Sequence, residues 1–405
     1  MSLLLYPTLL VLAISLFVLF ESIQAERLLQ KLDTIPPLDI PDPPPLSIII
    51  PALNEEQHIE KALTSVLALD YPRLEIVVLN DRSTDSTPAI LDRMAQEHPQ
   101  LKVIHIQELP PGWLGKNHAL HLGAEQAQGD FLLFTDADVH MEPDTIRRAM
   151  ARMLEKDLDH LSLVFKVQLP NPLLTMLVVD SLSALLTMFK PWRLTEPNSR
   201  YYMGAGGFNL IRKSCYQGFG GHHPIRLCPV DDILLGRMVR ESGGKMECMH
   251  ACAFLTVPWY HSVGEMAKGL RKNMLAAADY QVMVVVLASL LVISCNILPF
   301  WGLLLTTGLV QVLCGAILAC WIIIMGLAAR SFGIGLGCLR WFLLTPYIKL
   351  YIIWQATLFT LIRGGIEWRG TFYSLDELKQ HMVPVSPLTK LPPNFFSKDT
   401  TKPGP

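Results

Sequence analysis

Charge is scarce in this chain. Asp, Glu, Lys and Arg make up 17% of its 405 residues, and the formal net charge is −2. No basic field exists to draw in a polyanion, so nucleic acid is excluded as a partner. Closely paired cysteines are also missing. Cys215, Cys228, Cys248, Cys252, Cys295, Cys314, Cys320 and Cys338 are scattered, four of them in a long apolar C-terminal region, and read as buried reduced thiols. Cys248-Met249-His250-Ala251-Cys252 lacks the closer spacing and second ligand pair of a structural zinc site, and reads as the edge of a strand or helix. The glycines of Met203-Gly204-Ala205-Gly206-Gly207-Phe208 match no dinucleotide fingerprint, which argues against a redox cofactor. They would let a ligand approach the backbone closely.

Apolar sequence, by contrast, is plentiful at 51%, the composition of a chain that is part membrane-embedded and part soluble. Leu3–Ile23 is nearly free of charge and long enough to cross a bilayer. No basic residue precedes it and no clear small-residue cleavage site follows, so residues 1–25 read as a signal anchor. Arg27 and Lys31 come next. By the positive-inside tendency they put the following domain in the cytosol, at a bacterial plasma membrane or an endomembrane. Residues 35–45 are proline-rich and read as a semi-rigid linker that lifts the domain off the anchor. Residues 280–363 form a second membrane block. Tyr280–Phe300 and Leu303–Leu327 suggest a tight helical hairpin, and Arg340–Ile362 a third span, broken by Pro346 and carrying Lys349. A tail, 364–405, follows; Arg363 and Arg369 leave its side of the membrane open. Residues 171–190 read as a helix lying in the headgroup region, with Asp180, Ser183 and Thr187 along one stripe and Trp192 and Arg193 at its end. A core helix of the soluble domain is the alternative.

Between residues 46 and 279 strand-like and helix-like segments alternate. Leu46–Ile50, Glu75–Leu79, Lys102–Ile106 and Phe131–Thr135 predict strands; Glu55–Ala68, Ser86–Glu97 and Lys116–Gln128 predict helices. Such alternation argues for an α/β domain built on an open, mostly parallel sheet, which binds ligands outside the carboxyl ends of its strands. Polar clusters stand at these ends: Pro51-Ala52-Leu53-Asn54-Glu55-Glu56, Asn80-Asp81 and Asp136-Ala137-Asp138.

Each cluster suggests chemistry. Asp81 offers a carboxylate to a base imide or a ribose hydroxyl, if Asp85 serves as the cap of the next helix. Asp136 and Asp138 share a side if the backbone stays extended, and two carboxylates suit a hard cation, Mg²⁺ or Mn²⁺, that keeps phosphates as its other ligands. Lys116 lies near a helix start within reach of phosphate, and Trp113 offers a flat apolar face to a sugar or lipid. Asp231-Asp232 reads as a capped helix start or as the source of a general base.

Taken in order, these motifs resemble the membrane-bound family 2 glycosyltransferases with a GT-A domain. The resemblance implies a GT-A fold bracketed by transmembrane helices, and a nucleotide site formed by Pro51, Asn54 and Glu55. It implies that Asp81 contacts uracil, that Asp138 ligates the metal directly with Asp136 on the ribose or behind it, and that Asp232, beside Asp231, is the base. Pro111-Gly112-Trp113-Leu114-Gly115-Lys116, Gly220-Gly221-His222 and Glu367-Trp368-Arg369-Gly370 are similar to the lipid-modifying members, the hopene-associated, carotenoid and ceramide-glucosyltransferase-like enzymes. The implied partners are a nucleotide-diphosphate sugar, UDP-linked, and a membrane lipid hydroxyl; polyprenyl phosphate and a growing polysaccharide are the alternative acceptors. The Gln-x-x-Arg-Trp motif of processive synthases is missing. Gly269-Leu270-Arg271-Lys272-Asn273 stands in its place, with Arg271 and Lys272 facing diphosphate or headgroups. Gly206 and Trp113 would be further contacts to acceptor or diphosphate.

Overall fold

The computed structural model describes residues 2–392 together with Phe395 and Phe396. It divides into two compact units. One comprises residues 30–166, 193–258 and 367–405; the other comprises 1–29, 167–192 and 259–366.

The first unit is α/β. Its seven-stranded sheet contains β1 (Leu46–Ala52), β2 (Leu74–Asp81), β3 (Leu101–Ile106), β4 (Phe131–Phe134), β5 (His160–Val164), β6 (Asn209–Arg212) and β7 (Met246–His250). Their order is β3-β2-β1-β4-β6-β5-β7. β1 pairs in parallel with β2 and β4, and β2 with β3. β6 runs antiparallel to both neighbours, and β5–β7 is parallel again. The sheet is therefore mostly parallel, as the alternation requires. β1 is buried along its whole length, since helices cover both faces of a parallel sheet. Its side chains join those of β2 and the helices Ile59–Leu67 and Thr145–Glu155 in one core. The cysteines of Cys248–Cys252 are free thiols on and beside β7.

Residues 35–45 do not stand off as a linker. Leu32 and Ile35 enter the core. Arg147 donates to the Leu38 carbonyl at 2.7 Å, Arg148 to that of Ile35 at 2.6 Å, and the Tyr71 hydroxyl to that of Pro44 at 2.7 Å. Proline removes backbone donors but leaves carbonyls to be satisfied, and these side chains satisfy them. Residues 384–389 are held in the same way. Arg237 is buried, and its guanidinium donates to the carbonyls of Pro384, Ser386 and Thr389.

The second unit is helical. By length and composition, four of its helices could cross a membrane: Leu4–Leu28, Pro172–Arg193, Val282–Leu305 and Leu309–Ser331. Pro172–Arg193, which the sequence suggested as a helix lying flat, is also long and apolar enough to cross a membrane. Its polar stripe is met within the unit. Asp180 pairs with Lys349 at 3.0 Å, and the hydroxyls of Ser181 and Thr187 donate to the carbonyls of Leu177 and Ser183. Its Met176 and Val179 pack with Leu318, Ile324 and Met325. Pro346 does not break the third C-terminal segment; it sits in the first turn of the helix Thr345–Arg363, where its missing N–H costs nothing. The α/β unit ends at Pro258 on this side, earlier than the sequence boundary at 279.

Candidate active site

Three of the clusters meet at the carboxyl ends of β1, β2 and β4. Asn54 turns the chain after β1 with φ 55. Its side-chain oxygen accepts from Thr84 N at 2.8 Å, while its own N–H donates to Ser83 Oγ at 3.0 Å. Glu55 N donates to Thr87 Oγ1 at 2.8 Å. The loop after β1 is thereby latched to the loop after β2. Asp85 accepts from Thr87 N at 3.0 Å and so starts the helix Thr87–Glu97.

Asp81 is not free. It is fully buried, and Arg82 grips both its oxygens at 2.8 and 3.1 Å. A Cβ on Gly115 would collide with the same carboxylate, so the start of the helix Gly115–Gln126 can close over Asp81 only because residue 115 has no side chain.

The strand β4 stops at Phe134, and Asp136 and Asp138 follow in a turn, not an extended run. Lys116 fills the space between two clusters. Its ammonium lies 2.9 Å from Asp136 Oδ1 and 3.3 Å from Asp231 Oδ2. Burial alone would lower the Lys116 pKa, but Asp136, Asp231 and Asp232 outweigh it and the net shift is upward. Lys116 therefore faces carboxylates, where the sequence had it reaching for phosphate.

Asp232 sits across the same cleft. Its Oδ2 accepts from Gly206 N at 3.0 Å and its Oδ1 from Ile233 N at 2.9 Å. Burial, then the neighbouring Asp231 charge, raises its pKa to about 6, against the pull of Lys116. Gly206 serves both acids, since its carbonyl accepts from Asp136 N at 3.1 Å. A Cβ there would lie 2.6 Å from Asp136 Oδ2. His222 closes the cleft from behind, with Nδ1 2.7 Å from the Tyr216 hydroxyl. Burial pushes its pKa down to about 3, so it is a neutral wall. The cleft is lined by Lys116, Asp136, Gly206, Asn209, His222 and both Asp231 and Asp232, among others.

Asp138 is the group most in need of a counter-charge. Burial first, then Asp136 and Glu55, lift its pKa to about 7. Among the described residues no three His, Cys, Asp or Glu side chains are grouped to hold a metal. Carboxylate oxygens of this kind are the donors that suit Mg²⁺ or Mn²⁺, which keep water and phosphate in their shells.

Trp113 is partly buried among histidines. It stacks on His121 at 4.9 Å between ring centroids, with His118 and His223 edge-on. Arg271 belongs to the helical unit, where its guanidinium lies over the Phe359 ring at 4.2 Å, and Lys272 follows it there. Sequence reasoning gave no site role to two residues, Asn117 and Arg369, the latter noted within the Glu367–Gly370 motif. Asn117 donates to the carbonyls of Ile225 and Cys228 at 2.8 and 3.1 Å, which anchors the approach to Asp231. Arg369 acts on Glu55 through its charge.

The strand-end loops and the turn after β4 lie in a stretch, residues 47–216, that matches the model for Glycosyl transferase family 2. This stretch is a glycosyl transferase family 2 domain. Asp231, Asp232 and Arg369 lie beyond the matched residues. The domain is similar to the beta-monoglucosyldiacylglycerol synthase of Synechocystis, with 39% identity over 137 residues, or 32% of this chain and 28% of that protein. A longer match, 26% identical over 282 residues, covers 64% of this chain and 69% of the 4,4'-diaponeurosporenoate glycosyltransferase of Staphylococcus haemolyticus. The chain thus spans about a quarter of the Synechocystis protein's length (28%). Among solved structures, the mannosyltransferase PcManGT from Pyrobaculum calidifontis aligns with a TM-score of 0.50 at 19% identity, covering 87% of this chain and 98% of that one. The likeness is one of fold, and the fold is GT-A.

Proposed function

We propose that this chain is an inverting glycosyltransferase. It moves a sugar from a nucleoside diphosphate sugar, UDP-linked, to a hydroxyl of a membrane lipid, and its α/β unit faces the cytosol. The observation that carries the reading is Asp232, a carboxylate fixed by two backbone N–H groups in the same cleft as Asp136 and Lys116. The two named relatives above, both glycolipid glycosyltransferases, support the lipid acceptor. So do the four apolar helices.

Asp232 takes the proton of the acceptor hydroxyl while that oxygen bonds to the anomeric carbon. The bond from this carbon to the diphosphate breaks on the opposite face, and the nucleoside diphosphate leaves with the electron pair. Asp231 holds Lys116, whose charge keeps Asp232 ionised near neutral pH. Asp138, with Asp136, would hold Mg²⁺ or Mn²⁺; the cation, when bound, offsets the negative charge of the leaving group. Pro51, Asn54, Glu55 and Asp81 form the nucleotide side, Asp81 taking the base imide N–H once Arg82 gives it up. A phosphate acceptor would arrive ionised and need no base, so a carboxylate with pKa about 6 favours a hydroxyl acceptor.

The test is transfer to extracted lipids by the purified full chain in vesicles, read by mass spectrometry with and without chelator. PcManGT was solved with GDP-Man and Mn²⁺, so GDP-mannose belongs in the donor panel beside UDP-sugars. Transfer that chelation leaves intact would remove the metal from the reading, and full activity in Asp232→Asn would remove the base.

A further inference from the structure

A nucleoside diphosphate brings two or more negative charges into a site that is already rich in carboxylates. The cations around it are mostly spent. Arg82 is bound by Asp81 through two hydrogen bonds. Lys116 is divided between Asp136 and Asp231. Arg369 differs, because its Nη1 is buried and donates to no atom among the described residues. An unspent guanidinium N–H shielded from water is costly unless a ligand claims it.

The position of Arg369 is fixed from two sides. It forms a turn with Gly370 at φ 53 and 77, a backbone state that an L side chain adopts only at a cost. Four residues on, the Tyr373 hydroxyl donates to the Trp113 carbonyl at 3.2 Å. Tyr373 is also within electrostatic range of Asp81 and Arg82. The segment 369–373 therefore runs from Glu55, after β1, to the loop ahead of Gly115, past Asp81. Glu55 lies within electrostatic range of both Arg369 and Asp136.

We infer that the turn Trp368-Arg369-Gly370 completes the donor site, its Arg369 guanidinium binding a phosphate of the nucleoside diphosphate. The inference rests on the glycosyltransferase reading above. It makes the donor site discontinuous in sequence, with a phosphate ligand supplied from beyond the apolar helices. A guanidinium suits the task, since its fork of N–H donors matches phosphate oxygens.

The experiment uses the full chain in detergent or nanodiscs at fixed Mn²⁺, and compares the affinities of UDP and GDP with those of uridine and guanosine. In Arg369→Gln the diphosphate that binds wild type is expected to weaken about tenfold or more, the worth of a charge-assisted hydrogen bond. The matching nucleoside should bind as before, the ligand-free melting temperature should hold, and Arg369→Lys should recover part of the loss. Unchanged diphosphate affinity in Arg369→Gln overturns the inference and leaves the functional reading standing. Equal loss of nucleoside and diphosphate also overturns it, because the turn would then only shape the pocket. Failure of wild type to bind any of the four compounds sinks the inference and the reading together.

Discussion

The Lys116 ammonium stands 2.9 Å from Asp136, joining the side of the cleft that would hold metal to the side that holds Asp232. The lysine is 13% exposed, so little water screens the pair.

Replacing that cation should impair the reaction in a diagnostic way. Lys116→Met leaves Asp136, Asp231 and Asp232 repelling one another, and kcat is expected to fall about 10²-fold or more. Because Lys116 lowers the Asp232 pKa, its loss should also move the acid limb of the pH–rate profile upward. A profile of kcat/KM for both proteins checks the sign; an acid limb that stays put or moves down contradicts it.

Wild-type activity has its own pH signature. As the proposed base, Asp232 must be ionised to accept a proton, and its pKa is raised to about 6. Rates should level off above that pH and fall about tenfold per unit below it. Asp232→Asn should lose about 10²–10⁴-fold in kcat and change donor KM little. A variant that kept the acid limb would show that another group titrates.

Gly206→Ala tests how tightly the two acids are drawn together. The added methyl would lie 2.6 Å from Asp136 and 3.4 Å from Asp232, so one of them must move. A displacement of about 1 Å in a catalytic site costs on the order of 10²-fold. The expected result is that loss in kcat/KM with an unchanged melting temperature.

Of this site, the parts set by local pattern were legible in the sequence. β1, β2 and β4 are short apolar runs, and a polar residue at the end of such a run stands at the ligand edge of a parallel sheet; Asn54, Asp81 and Asp136 were found in this way. Pairings across long separations left no local mark. Nothing near Asp81 announces that its neighbour Arg82, at φ 60, folds back on it. Lys116 meets Asp231 across 115 positions, and spacing cannot express that. Arg369 follows the apolar helices, a place where a composition-based reading ends the domain. The antiparallel β6 was hidden because Asn209–Arg212 is short and follows an irregular glycine-rich stretch.

In the helical unit, Asp180 and Lys349 predict a coupled response. Their side chains are 14% and 21% exposed and 3.0 Å apart. Lys349→Met strands a buried carboxylate, at a cost of about 3–5 kcal/mol. The double change Asp180→Leu with Lys349→Met should restore most of the melting temperature, measured in detergent. Equal losses in the single and double variants would show that the pair is not coupled.

The grip of Arg237 on Pro384, Ser386 and Thr389 sets an order of assembly. A ribosome delivers those carbonyls after every apolar helix has been made. Until then the buried guanidinium meets only the Tyr202 hydroxyl and the Glu241 carboxylate, and the helix that carries Asp231 and Asp232 lacks its last support. A nascent chain halted after Arg363 would hold all of the site's acids yet lack the carbonyls that steady the helix bearing Asp231 and Asp232.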